Sequence, residues 1–101
     1  MQNSVRICKY NFGKIKAGRL SVKLNFEIVK VLDVQLQYND LVVWAEVNTD
    51  YAASQDSKIE AECVWTGFAP PGAGESNYFT TVTDDSGQVY HVYLLHKVHQ
   101  E

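Results

Sequence analysis

The chain has 101 residues, 46% of them apolar and 21% charged, with a formal net charge of −3. That length bounds it to one domain with a single core, and that apolar content excludes an intrinsically disordered protein. No apolar run approaches the roughly 20 residues that span a bilayer, and the start lacks the apolar core of a signal peptide, so the expectation is a protein with no membrane partner.

The charge is unevenly placed. Residues 1–26 form a basic N-terminal segment with Arg6, Lys9, Lys14, Lys16, Arg19 and Lys23 and no acid, whereas the remainder is strongly acidic. A phosphate-binding strip is one reading. The cations alternate with apolar residues, however, as on the solvated face of a strand, and that reading is preferred.

In chain order, Val5 to Tyr10 reads as a first strand, closed by a turn-like Asn11-Phe12-Gly13. Lys14 to Gly18 reads as a basic connection. Leu20, Val22, Leu24 and Phe26 alternate with Ser21, Lys23 and Asn25, giving a second strand.

Residues 27–48 form the central hairpin, with strands over 28–38 and 41–48 about an Asn39-Asp40 turn. Pairing across that turn sets Leu36 against Val43, Val34 against Ala45 and Leu32 against Val47, all on one buried face. The same pairing sets Asp33 against Glu46. These could act as an acid/base pair, but two solvated strand carboxylates are the simpler account. The apolar phase flips at Val29 and Val31, which requires a bulge or bend near Val31-Leu32.

Residues 49–57 read as a polar loop, and Ile59, Ala61, Cys63 and Trp65 alternate as the next strand. Residues 67–77 form a Gly/Pro-rich loop expected to lie outside any ladder. Two last strands, 78–83 and 88–95, flank a turn at Asp84-Asp85-Ser86-Gly87. Residues 96–101 are a polar tail. The whole predicts an all-β fold, a small antiparallel barrel or two-sheet sandwich of about seven strands, as one domain over 1–101.

Catalytic signatures are absent. No nucleophile elbow occurs, and the Gly-Ala-Gly at 72–74 lacks the Lys-Ser/Thr ending and the helix of a phosphate loop. His91 reads as a packed or hydrogen-bonded histidine at the core edge. His96 and His99 read as solvated tail residues rather than metal ligands. The expectation is a non-enzymatic protein with no metal and no cofactor. Cys8 and Cys63 read as unpaired thiols, with a bridge between them as the alternative.

Aromatic side chains are the stronger feature: Tyr10, Trp44, Trp65, Phe68, Tyr78, Phe79, Tyr90 and Tyr93, several flanking the 67–77 loop. Such rings can sandwich a flat ligand, anchor a protein partner or simply fill a core. Trp44 and Tyr90 fall on strand faces opposite the main apolar stripes. The candidate site is therefore Trp44, Trp65, Phe68, Tyr78 and Tyr90, with Arg6 or Arg19 supplying charge to an anionic group.

A family resemblance rests on an ordered set of short motifs. These are Lys9-Tyr10, Leu32-Asp33-Val34-Gln35-Leu36-Gln37, Val43-Trp44-Ala45-Glu46-Val47, Thr66-Gly67 and His91-Val92-Tyr93. In that order they resemble a family of small phage-encoded proteins classed as a domain of unknown function. The chain departs from that pattern at 26–29, where a Pro/Gly turn is missing, and in its longer, more basic 11–25 segment. The resemblance implies a phage accessory protein acting in the cytoplasm of the infected bacterial host. Its partner would be a host protein or small nucleotide-like ligand held by stoichiometric binding, as in host takeover or anti-defence. A minor virion or assembly protein is the alternative. A nucleic-acid binder using the basic N-terminal face is a third, disfavoured by the acidic remainder. Unmatched charge between the basic strands and the acidic faces of Glu60 and Glu62 also points to a homo-oligomer.

Overall fold

The computed structural model describes residues 4–71 and 76–95. Seven strands follow one another: β1 Val5–Lys14, β2 Gly18–Lys23, β3 Phe26–Gln37, β4 Asp40–Ala52, β5 Lys58–Trp65, β6 Ser76–Thr83 and β7 Val89–Leu95. They form two antiparallel sheets, ordered β1-β4-β3 and β2-β5-β7-β6. The ladders do not close on themselves, so of the two expected architectures the structure is the two-sheet sandwich. Among the described residues no helix is long and apolar enough to cross a membrane.

The core lies between the sheets. Val34, Leu41 and Val43 of the first face Leu20, Ile59, Ala61, Cys63, Tyr90 and Val92 of the second, and Phe12, Ile15 and Leu24 close the gap. Each fully buried Leu or Val contributes about 1.5–3 kcal/mol. Both thiols are free, Cys63 buried in the second sheet and Cys8 half-buried in the first.

The central hairpin forms, but its turn comes one residue earlier than expected. Tyr38 and Asn39 occupy it with φ of 54° and 68°, the two positive values a type I′ turn requires. Gln37 therefore pairs with Asp40, Leu36 with Leu41 and Val34 with Val43. Moving the turn by one residue moves each cross-strand partner by two. Side-chain faces repeat every two residues, so Val34, Val43, Ala45 and Val47 stay buried as expected.

Leu32 does not. The register skips from Val31, opposite Ala45, to Asp33, opposite Trp44. The expected bulge is thus present, with Leu32 as its unpaired residue, 37% exposed. A second skip at Val29 completes the phase change. With this register Asp33 lies opposite Trp44 and Glu46 opposite Lys30, so the supposed carboxylate pair does not exist. Asp33 instead accepts hydrogen bonds from Gln35 Nε2 (2.6 Å) and the Val34 amide (2.9 Å).

Four boundaries also differ. Residues 11–13 are no turn: β1 continues through them with a bulge that leaves Phe12 unpaired between Asn11 and Gly13, Gly13 standing at φ 100° with its amide bonded to Asn11 Oδ1, and Phe12 drops into the core. β2 stops at Lys23, where the Leu24 amide turns to Ser57 O (3.0 Å), and Phe26 opens β3 instead. Residues 49–52 continue β4, because β3 supplies a partner there, Phe26 opposite Ala52. The 67–77 loop gives up its last two residues to β6, with Asn77 opposite Leu94. The 84–87 turn is as expected, with Gly87 at φ 90° and its amide bonded to Asp84 O (3.0 Å). Residues 72–75 and the tail with His96 and His99 lie outside the described residues.

Candidate binding surface at the loop end

Antiparallel order gathers several connections at one end of the sandwich: residues 15–17, the Tyr38-Asn39 turn, the 84–87 turn and the chain leaving β5. They are tied together. The Ile15 amide donates to Asn39 O at 2.8 Å. Asn39 Nδ2 donates to Asp85 Oδ2 (3.2 Å), and the Asp85 amide donates back to Asn39 Oδ1 (3.1 Å). This reciprocal pair bridges the tips of the two sheets.

Asp84 holds the neighbouring turn. Its carboxylate accepts from Ser86 Oγ (2.7 Å), the amides of Ser86 (2.9 Å) and Gln88 (3.0 Å), and more distantly Tyr90 Oη (3.4 Å). The Ser86 hydroxyl first, and then these other donors, hold its pKa below the usual carboxylate value. The Tyr90 ring leads to Trp65 (centroids 6.5 Å apart) and Trp65 to Phe68, edge to face at 5.8 Å. A turn closed by the Phe68 amide on Trp65 O (3.2 Å) sets that last ring.

The rim of this end is aromatic. Phe68 is 66% exposed and Tyr38 98%. A tyrosine at positive φ costs about 1–2 kcal/mol relative to a relaxed backbone, and Asn or Gly would occupy the position with less strain. Its ring, almost wholly in solvent, offsets none of that by packing. The fold therefore does not account for Tyr38. Strain held at an exposed aromatic on a braced loop end is the pattern of a contact residue.

Residues 4–101 match the family described as Domain of unknown function (DUF7352). The chain belongs to that family. No curated protein and no solved structure matches it. The family match spans both sheets and the whole loop end of this DUF7352 protein.

Of the seven candidate site residues, the structure brings Trp65, Phe68 and Tyr90 into one aromatic cluster. Tyr90 is a correction: it points inward and belongs to the core, because it pairs between Trp65 and Val82 on the inner face. Tyr78 lies on the outer face of the second sheet, edge to face with Tyr93 at 5.7 Å. There its hydroxyl meets Thr81 Oγ1 (2.6 Å), which meets His91 Nδ1 (3.0 Å), while His91 Nε2 meets Thr66 Oγ1 (2.8 Å). Arg19, on the same face, is bonded to Glu62 (3.1 Å). Trp44 is half-buried on the outer face of the first sheet, between Lys9 and Asp33 on the flanking strands. Arg6 sits toward the far end of β1, with Nη1 on Val5 O.

Sequence reasoning missed Tyr38, Asn39 and Asp85. Tyr38 continued the apolar alternation of β3 and so read as an inward residue. The available signal was the Tyr-Asn-Asp run itself, which admits the turn at either of two registers. An open polar cleft of about 350 Å³ lies at the opposite end, lined by Ser21, Lys23, Gln55, Asp56, Ser57 and Lys58. At the loop end the Tyr38 and Phe68 rings are exposed to solvent.

Proposed function

We propose that this protein is a non-enzymatic binding protein, a phage accessory factor that sequesters a host ligand in the cytoplasm of the infected cell, and that it does so through the loop end. The observation that carries this reading is Tyr38, a strained and solvent-exposed ring braced by the Asn39–Asp85 bonds. Rigid aromatic anchors on clustered loops of a β-sandwich suit a macromolecular partner, since they offer large contact area at low entropic cost. Exposed rings favour a host protein over a nucleotide, which is gripped better in a hollow. Two free thiols fit a reducing compartment.

Immobilised protein exposed to host lysate, read by mass spectrometry of proteins and small molecules, tests the proposal. One host species should be retained near equimolar amounts by the wild type. It should be lost or strongly weakened with Tyr38→Asn and Phe68→Ala, since anchors of this kind are worth about 2 kcal/mol or more. Undiminished retention by both variants would reject the loop end as the site.

A further inference from the structure

The outer faces of the two sheets differ in how their charges are met. Between described residues the ion pairs are Arg19–Glu62 (3.1 Å) and Lys58–Glu60 (3.2 Å), and both belong to the second sheet. The outer face of the first sheet carries Lys9 on β1, Glu46 on β4, and Lys30 and Asp33 on β3. None of these four is in an ion pair with a described residue. Lys9 Nζ donates to the neutral Gln37 Oε1 (3.0 Å). Asp33 accepts from neutral donors, Gln35 Nε2 and the Val34 amide.

The register places these groups in rows. Lys9 and Asp33 flank Trp44 from opposite sides, one row across the three strands. In the next outward-facing row, Ile7 and Lys30 flank Glu46. Ile7 is 64% exposed. Val29 and Leu32, 52% and 37% exposed, are the residues that the β3 bulges leave unpaired near Lys30. With the half-buried Trp44, apolar surface thus stands at both margins and at the centre of a face whose charges are unmatched.

We infer that this face stacks on the same face of a second copy, about a two-fold axis that runs along β4 above Trp44. Such an axis exchanges the β1 and β3 margins. Lys9 then comes over Asp33 of the second copy and leaves the neutral Gln37 for it, and the pair forms twice. Ile7 comes over Lys30 of the copy, at the margin where Val29 and Leu32 are exposed. Trp44 meets its counterpart near the axis. Glu46 also meets its own, with Lys30 of both copies beside it to balance the charge. An axis laid across the strands at Trp44 would instead set Lys9 on Lys9 and Asp33 on Asp33. Stacked sheets cross at about −30°, which a two-fold axis along the mean strand direction permits. Strands about 4.8 Å apart, rising about 3.4 Å per residue, give a plane on the order of 400 Å² per copy between the Asp40 and Asn48 rows. Standard interfaces bury about 800 Å² per partner, so this is a weak, isologous dimer. Its specificity comes from the charge pattern more than from area.

Sedimentation equilibrium of the full chain up to millimolar concentration, at low and high salt, tests this. Wild type should pass from monomer to dimer as concentration rises, and added salt should weaken the association. Lys9→Glu, which faces Asp33 of the copy, and Asp33→Lys, which faces Lys9, each oppose like charges twice. Each should raise the dimer dissociation constant about tenfold or more. The double variant Lys9→Glu/Asp33→Lys restores opposite charges in reversed order and should dimerise close to wild type. Circular dichroism of all three should match wild type, since both side chains lie outside the core. A wild type monomeric throughout, a dimer indifferent to salt, or single variants that dimerise like wild type would each overturn the inference. The salt response of wild type decides even where a charge variant loses its fold. A double variant no better than the single ones would reject the axis along β4.

Discussion

Tyr38 sets stability against function at a single residue. The turn needs two positive φ values, and Asn39 meets the second at little cost because its short amide tolerates that region. Tyr38 meets the first only under strain. Tyr38→Asn should therefore raise the unfolding free energy by about 1 kcal/mol in urea titrations, while weakening partner capture. A substitution that stabilises the fold and abolishes binding identifies a residue held for contact; equal or lower stability would remove the strain argument. Cys63 makes a second residue-scale case. Burial first, and the charge of Glu62 second, push its thiol from 9.0 up to about 11. The folded state thus keeps a proton that the unfolded state has released. Below pH 9 the two states bind it alike, and stability falls as pH rises from 9 toward 11. Urea midpoints over that window should drop more steeply for wild type than for Cys63→Ala, in which no thiol titrates.

At the scale of elements, the hairpin shows what alternation reveals and where it stops. The period-2 pattern around Val34 and Val43 identifies the strands and their inner faces, because burial on one face is a property of each strand alone. The exact partner is a property of the turn, and Tyr-Asn and Asn-Asp differ too little in local chemistry to choose between them. The phase flip at Val29 and Val31 announces a bulge, but not which residue is pushed out. Leu32 continues the Val34, Leu36 series and so reads as an inward residue, but the bulge beside Asp33 expels it. Strand ends at 49–52 and 76–77 were illegible for a related reason: their polar residues are held by pairing with distant segments, not by propensity. The register has a direct consequence. Leu41 is fully buried, and Leu41→Ala should cost about 2–5 kcal/mol. Leu32→Ala should cost under about 1 kcal/mol, since its methyls already meet water. Chemical denaturation of both variants checks the pair; equal losses would contradict the bulge.

For the molecule as a whole, the loop end and the outer face of the first sheet occupy different parts of a body 48 Å long. The candidate site was only partly legible. Trp65 and Phe68 stand beside the Gly/Pro loop in the sequence, but the tie between Asn39 and Asp85 joins residues 46 positions apart, a relation no local pattern carries. The tie and the rings should then separate by mutation. Asp85→Ala removes the acceptor of Asn39 Nδ2 but neither ring, so it should weaken partner capture less than Tyr38→Asn does. Calorimetric titration of both variants with the captured partner measures the difference. If Asp85→Ala left the affinity unchanged, the bridge between the two sheets would not brace the site.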